Sequence, residues 1–144
     1  MAETSPTRGV RVVGIILAVL GVVFLVAGIA TYATVSSKLA DQKITVSDDA
    51  DHFAGKEVKG PFTAYSQADV INKHALEIGG GKTYAELPQD DPNRDTVMTA
   101  SFLQASLFTS VVAFGVAAFV AVMGVVLILL GWVLIRLGRA TAAA

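Results

Sequence analysis

The chain has 144 residues, 53% of them hydrophobic and only 16% charged, with a formal net charge of −1. Those fractions suit a small membrane protein better than a soluble domain. There is no cysteine, which excludes disulfide staples, thiolate metal sites and cysteine nucleophiles, and the basic residues form no patch of the kind nucleic acid needs.

The N-terminal stretch 1–11 carries Arg8 and Arg11 against Glu3. An uncharged run follows at residues 12–37. A helix needs about 20 apolar residues to cross about 30 Å of hydrocarbon, and this run exceeds that. A cleaved signal peptide is the alternative. However, its apolar core would be only about 7–15 residues long, and the candidate cleavage site at Thr31-Tyr32-Ala33 holds a bulky Tyr. The reading is a retained first span over 12–35, with Tyr32 as an interfacial aromatic. Gly14, Gly21 and Gly28 recur every seven residues along it.

Residues 36–95 are predicted to form a small subdomain, too short to bury more than a marginal core alone. The helix is expected to overshoot to about Asp41. Lys43-Ile44-Thr45-Val46 reads as β-like, followed by the acidic turn Asp48-Asp49-Ala50-Asp51-His52 and by Gly60-Pro61. Residues 62–78 read as an amphipathic helix, with Ala64, Ala68, Ile71, Ala75 and Ile78 on one face and Phe62, Tyr65 and Leu76 beside it. Gly79-Gly80-Gly81 ends that helix.

Three motifs bear on chemistry. Gly81-Lys82-Thr83 resembles the tail of a phosphate loop, but Leu76 stands where the first glycine is required, so a helix terminator and turn is preferred. Asp48, Asp49, Asp51 and His52 offer oxygen and imidazole ligands to a cation. Their register does not match an EF-hand loop, and a solvated acidic turn is preferred. A 2-His-1-carboxylate iron site would need His52 and His74 on one centre, and nothing in the sequence forces them together. The expectation is therefore no catalytic residue, no resident metal and no cofactor.

The second uncharged run, residues 96–135, would measure about 60 Å as one helix. Asp91-Pro92 supplies an N-cap acid and a proline at the predicted first helical position, and Asp95 suits the positive end of the dipole. The first four turns interleave Ser and Thr with apolar residues, and the span itself is placed at 110–135. Trp132 is its interfacial aromatic. Gly124, Gly131 and Gly138 again repeat every seven residues, while Ala113, Ala117 and Ala121 form a second small stripe. A heptad of small residues favours a left-handed crossing, and small-residue stripes are contact faces in lipid. Either the glycine stripes meet each other in a hairpin, or one stripe is left for another chain. Neither span holds an ionisable residue, which argues against a pump, a transporter or a polar-lined channel.

The C-terminal stretch 136–144 carries Arg136 and Arg139 without an acid, whereas residues 38–95 carry six Lys, one Arg and eleven acids. Short basic flanks stay inside. Both termini are therefore expected in the cytoplasm and the loop outside a plasma (inner) membrane. The fold class is an all-α membrane protein: a two-helix transmembrane hairpin with a small, mostly helical extracytoplasmic cap.

The stretches Asp41-Gln42-Lys43-Ile44-Thr45-Val46, Lys59-Gly60-Pro61-Phe62-Thr63-Ala64-Tyr65 and Met98-Thr99-Ala100-Ser101-Phe102-Leu103-Gln104-Ala105-Ser106-Leu107-Phe108 are distinctive together. They resemble a family of small actinobacterial membrane proteins of unassigned function, whose members often carry the label aromatic ring-opening dioxygenase. The resemblance covers the chain from first span to second and implies no established activity. It also implies that some relatives carry cysteines where this chain has His52 and Ser66, a bridge that would pin the start of the loop to its helix. The dioxygenase label does not carry over. Such enzymes are soluble and use a histidine- and carboxylate-bound metal, and this sequence supplies no such constellation. The function expected is that of a non-catalytic accessory or scaffold subunit, partnered by the lipid bilayer and by other membrane proteins or itself. The alternative is an extracytoplasmic ligand or cation sensor, and a metal-dependent oxygenase comes third.

Overall fold

The computed structural model describes residues 6–140. Among them the chain is all-helical: α1 Pro6–Asp41, α2 Pro61–Ile78 and α3 Arg94–Ala140, with no strand. Helix extends into both of the stretches read as terminal tails, 1–11 and 136–144. α1 already begins at Pro6 and α3 continues to Ala140, while 1–5 and 141–144 lie outside the described residues. Proline is favoured at a helix start, and the arginines flanking both runs are good helix formers that give no stop signal.

α1 and α3 are 36 and 47 residues long, about 54 and 70 Å. Both are long and apolar enough to cross a membrane. The core helix of a soluble protein would be mostly buried. In the most apolar stretch of each helix only 17% (α1) and 11% (α3) of residues are buried.

The chain divides into two units. One comprises the residues up to Tyr32 and from Val116 onward; the other is Ala33–Gly115. In the first unit the two helices run antiparallel and touch backbone to backbone. A Cβ placed on Gly14 would lie 2.8 Å from Gly131 O, one on Gly21 2.7 Å from Gly124 O, and one on Gly28 2.6 Å from Ala121 N. From the other side, a Cβ on Gly124 would lie 2.5 Å from Leu25 N and one on Gly131 2.5 Å from Gly14 O. The glycine stripes thus face each other. Ala117 and Ala121, read as part of a separate stripe, extend the seam by receiving Gly28. Ala117 is 2% exposed. Outside this seam the unit presents Val19, Val23, Val26, Val122 and Leu129, each more than half exposed. The Arg136 guanidinium lies 4.6 Å from the Trp132 ring centre, a cation–π contact.

The second unit has two small cores. Leu39, Val46, Val58, Ala64, Ala68, Leu107 and Phe114 form the first; Ala75, Leu87 and Val97 form the other, with Tyr84 and Ala100 against it. α1 stops where Lys43 adopts φ 54°, a left-handed conformation that ends helices. The β-like stretch makes a single antiparallel bridge, Thr45 to Glu57. Val46 N–H donates to Lys56 O and Val58 N–H to Ile44 O, each at 2.8 Å. Burying Val46 and Val58 fully is worth about 1.5–3 kcal/mol each.

α2 starts with Gly60 as N-cap and Pro61 behind it. Gly60 has no side chain to cap with, so only the return half of a capping box forms: Gly60 N–H donates to Thr63 Oγ1 at 3.2 Å. The glycine triplet ends α2, with Gly80 and Gly81 at φ 63° and 83°. The buried face is Ala64, Gln67, Ala68, Val70 and Ala75, whereas Ile78, placed on that face by periodicity, is 42% exposed. Gln67 is accommodated on that face because its Oε1 accepts from Ser47 N–H at 2.9 Å.

α3 begins two residues later than Asp91-Pro92 implied. Asp91 Oδ1 accepts from Asn93 N–H at 2.8 Å, an Asx-turn that uses the carboxylate before the helix starts. Asn93 Nδ2 then donates to Ile78 O at 3.2 Å, satisfying a carbonyl at the end of α2.

Gly124→Val is expected to cost about 1–3 kcal/mol, because the facing atoms are backbone and cannot move aside. Gly115, with nothing within 4 Å of an added Cβ, should accept Ala with no loss of stability. Thermal unfolding in detergent, followed by helical circular dichroism, checks both. Equal melting of G124V and wild type would contradict the seam.

Candidate functional site

The acidic turn is built by the connector between α1 and α2. Phe53 at φ 61° and Gly55 at φ 71° reverse the chain, and Gly55 N–H returns to Val46 O at 2.9 Å. Asp48, Asp49, Asp51 and His52 are all exposed. The structure does not gather them on one centre. Asp49 instead faces α2, where its Oδ2 lies 2.7 Å from His74 Nε2 and 3.9 Å from Lys73 Nζ. The hydrogen bond with His74 holds the Asp49 carboxyl below its ordinary value. Desolvation opposes it, and the Asp49 backbone N–H and the charges of His74 and Lys73 add smaller contributions in the lowering direction. A carboxylate so engaged offers less to a cation. His52 contributes its carbonyl to this region, accepting from Ser66 Oγ at 2.6 Å, so the turn is fastened to α2 at that point. Its ring meets Phe53 edge-on at 6.5 Å. Among the described residues no three His, Asp or Glu side chains form a group able to hold a metal.

A second turn lies between α2 and α3. Glu86 Oε2 accepts from Thr83 N–H at 2.9 Å and from Thr83 Oγ1 at 2.8 Å. These bonds hold the Glu86 carboxyl below its ordinary value, with a smaller contribution from Lys82. Thr83 is therefore committed to a turn, not to a phosphate loop. Arg94, the first residue of α3, reaches back over this turn. Its Nη1 donates to Tyr84 O at 3.2 Å and to Leu87 O, and its guanidinium sits 4.3 Å from the Tyr84 ring centre.

Among the hollows of the second unit, two stand out by their lining. One, of about 220 Å³, is lined by Phe53, Phe62, Tyr65, Asp49, Asp69 and Lys73 among others. Phe62 is 74% exposed and Tyr65 54%. Tyr65 also stands edge-on to Phe108, with ring centres 5.7 Å apart. The other is a groove of about 700 Å³ between α1, α2 and α3, walled chiefly by Val35, Leu39, Ile71, Leu103 and Leu107, with Lys38 also lining it.

Sequence reasoning missed Gln67, the Asp49–His74 pair, Arg94 and both hollows. Gln67 carried a usable signal, because it stands between Ala64 and Ala68 on an apolar face. Arg94 and Asp49 carried none, because their partners are set by how the connectors fold. Comparison with family models, with curated proteins and with solved structures gives no match in any of the three.

Because the Asp49 carboxyl is held low in the folded chain, its stabilising contribution is complete above the ordinary carboxylate range. It is lost as pH falls through the folded-state value. Asp49→Asn should therefore melt below wild type at neutral pH, with the gap closing below about pH 4. A gap independent of pH would contradict the pairing. Gln67→Leu, which strands the Ser47 N–H, should cost about 1–3 kcal/mol at any pH, measured by the same unfolding experiment.

Proposed function

We propose that this chain is a two-pass membrane protein: a helical hairpin with both termini in the cytoplasm and residues 36–95 forming an extracytoplasmic cap. We further propose that it serves as a non-catalytic accessory or scaffold subunit. Exposure of the valine- and leucine-rich faces supports the first part, since a monomer in water does not leave such large apolar patches uncovered. The basic flanks Arg8, Arg11, Arg136 and Arg139 support the orientation. The resemblance to small actinobacterial membrane proteins fits this reading and adds no activity to it.

The observation that carries the accessory role is the aromatic hollow of Phe53, Phe62 and Tyr65, which stands outside the proposed spans with Phe62 74% exposed. The glycine seam is used within the chain. A protein partner would therefore meet this aromatic surface, and aromatic side chains in a hollow are the kind that dominate interfaces.

Gentle affinity purification from native membranes, with intact-complex mass spectrometry, tests the reading. A stoichiometric foreign protein is expected. Phe62→Glu should lower its recovery about tenfold, the effect of about 1.4 kcal/mol, without lowering the amount of this chain in the membrane. A lone monomer from wild-type membranes would contradict the accessory role.

A further inference from the structure

We propose that the groove between α1, α2 and α3 holds the acyl chain of an anionic membrane lipid, with the Lys38 ammonium taking its headgroup. At about 700 Å³ the groove falls within the range of small-molecule sites. Leu39, Ile71, Leu103 and Leu107 give it apolar walls. Of its four hydroxyl residues, Thr34, Ser106, Thr109 and Ser110, two are turned back on their own helix: Thr109 donates to Ala105 O at 2.8 Å and Ser110 to Ser106 O at 3.2 Å. Gln67 is engaged by Ser47. The groove thus offers mainly hydrocarbon contact, which suits a lipid chain better than a sugar, a nucleotide or a peptide backbone.

Among the described residues, Lys38 is the only ionisable one lining the groove. Its carboxylate neighbour Asp41 stands 3.9 Å away, with side chains 79% and 64% exposed, and such a pair is held only loosely. The ammonium is thus available to a second anion.

The position along α1 identifies the source of that anion, a step that rests on the two-span reading. Lys38 lies 27 residues beyond Arg11, about 40 Å along a helix. A bilayer with its headgroup regions is about 40–45 Å thick. Lys38 is the first charge after the uncharged run 12–37, so on that reading it falls where the span reaches the headgroups. The molecule that meets the groove first there is a lipid.

The full-length protein is reconstituted with equimolar phosphatidylglycerol and phosphatidylcholine, returned to mild detergent, and its retained lipids are counted by native mass spectrometry. Phosphatidylglycerol is expected to be retained over phosphatidylcholine by about tenfold. Leu103→Trp, at a site 51% exposed and so tolerant of substitution, should remove retention of both lipids. Lys38→Gln should keep a lipid but lose the preference. Retention of neither lipid by wild type, retention unchanged in L103W, or a preference unchanged in K38Q overturns the proposal. So does a lipid-free dimer that L103W dissociates. Carbonate extraction of native membranes separates this from failure of the membrane reading. Release of the protein would overturn both, whereas an integral protein without lipid in the groove overturns this proposal alone.

Discussion

α1 and α3 touch through their backbones, and that contact is possible only because glycine occupies the seam. Cβ atoms at Gly21 and Gly124 would fall within 2.7 Å of the opposing main chain, closer than any real side-chain carbon. The seam therefore works by omission. Each glycine removed from the helix surface lets dispersion contacts form along the backbone itself, where hydrophobic expulsion between helices in lipid would be absent. The cost is helix propensity, about 1 kcal/mol per interior glycine in water. It is met by the close approach of two long elements that have few other ways to recognise each other.

The unit from Ala33 to Gly115 is organised on a different principle. Its two cores are small, and alanines at 64 and 68, both 0% exposed, let α2 settle closely without adding much apolar area. What fixes the arrangement is a set of long-range polar pins. Ser36 holds the Lys59 carbonyl at 2.7 Å, Gln67 holds Ser47, Ser66 holds His52, Asn93 holds Ile78, and Arg94 holds the turn at Tyr84 and Leu87. The first four join segments 14 to 23 residues apart and Arg94 closes a shorter loop, and each is worth about 1 kcal/mol net. A marginal apolar core can specify one structure when its connectors are fastened in this way.

The long elements were legible in the sequence because their signals are repetitive: two uncharged runs, a seven-residue glycine period and an alanine face ended by three glycines. The boundaries were less so. Asp91-Pro92 satisfied a general rule for helix starts, but the Asp91 side chain was taken by Asn93. Arg8 and Arg136 marked the ends of hydrophobicity and not the ends of the helices, because charge stops partitioning into lipid without stopping hydrogen bonding along the chain. The acidic turn was visible as composition only. That Asp49 would face His74 depended on the left-handed residues Phe53 and Lys43, and neither residue type announces such a conformation. The groove was invisible for a related reason: its walls come from three helices, and no single stretch of sequence contains it.

The seam has a consequence for how this chain can vary. In an ordinary core, a side chain that grows can be accommodated by a neighbour that shrinks, so paired changes open routes between sequences. At Gly14, Gly21, Gly28, Gly124 and Gly131 the nearest neighbours are main-chain atoms for almost every contact, and main-chain atoms do not mutate. No second-site change can make room for a side chain there. Only separation of the helices could do so, and that would release the other four positions at the same time. The five glycines therefore behave as one inherited character, kept together or lost together, while the outward-facing positions between them are free to drift.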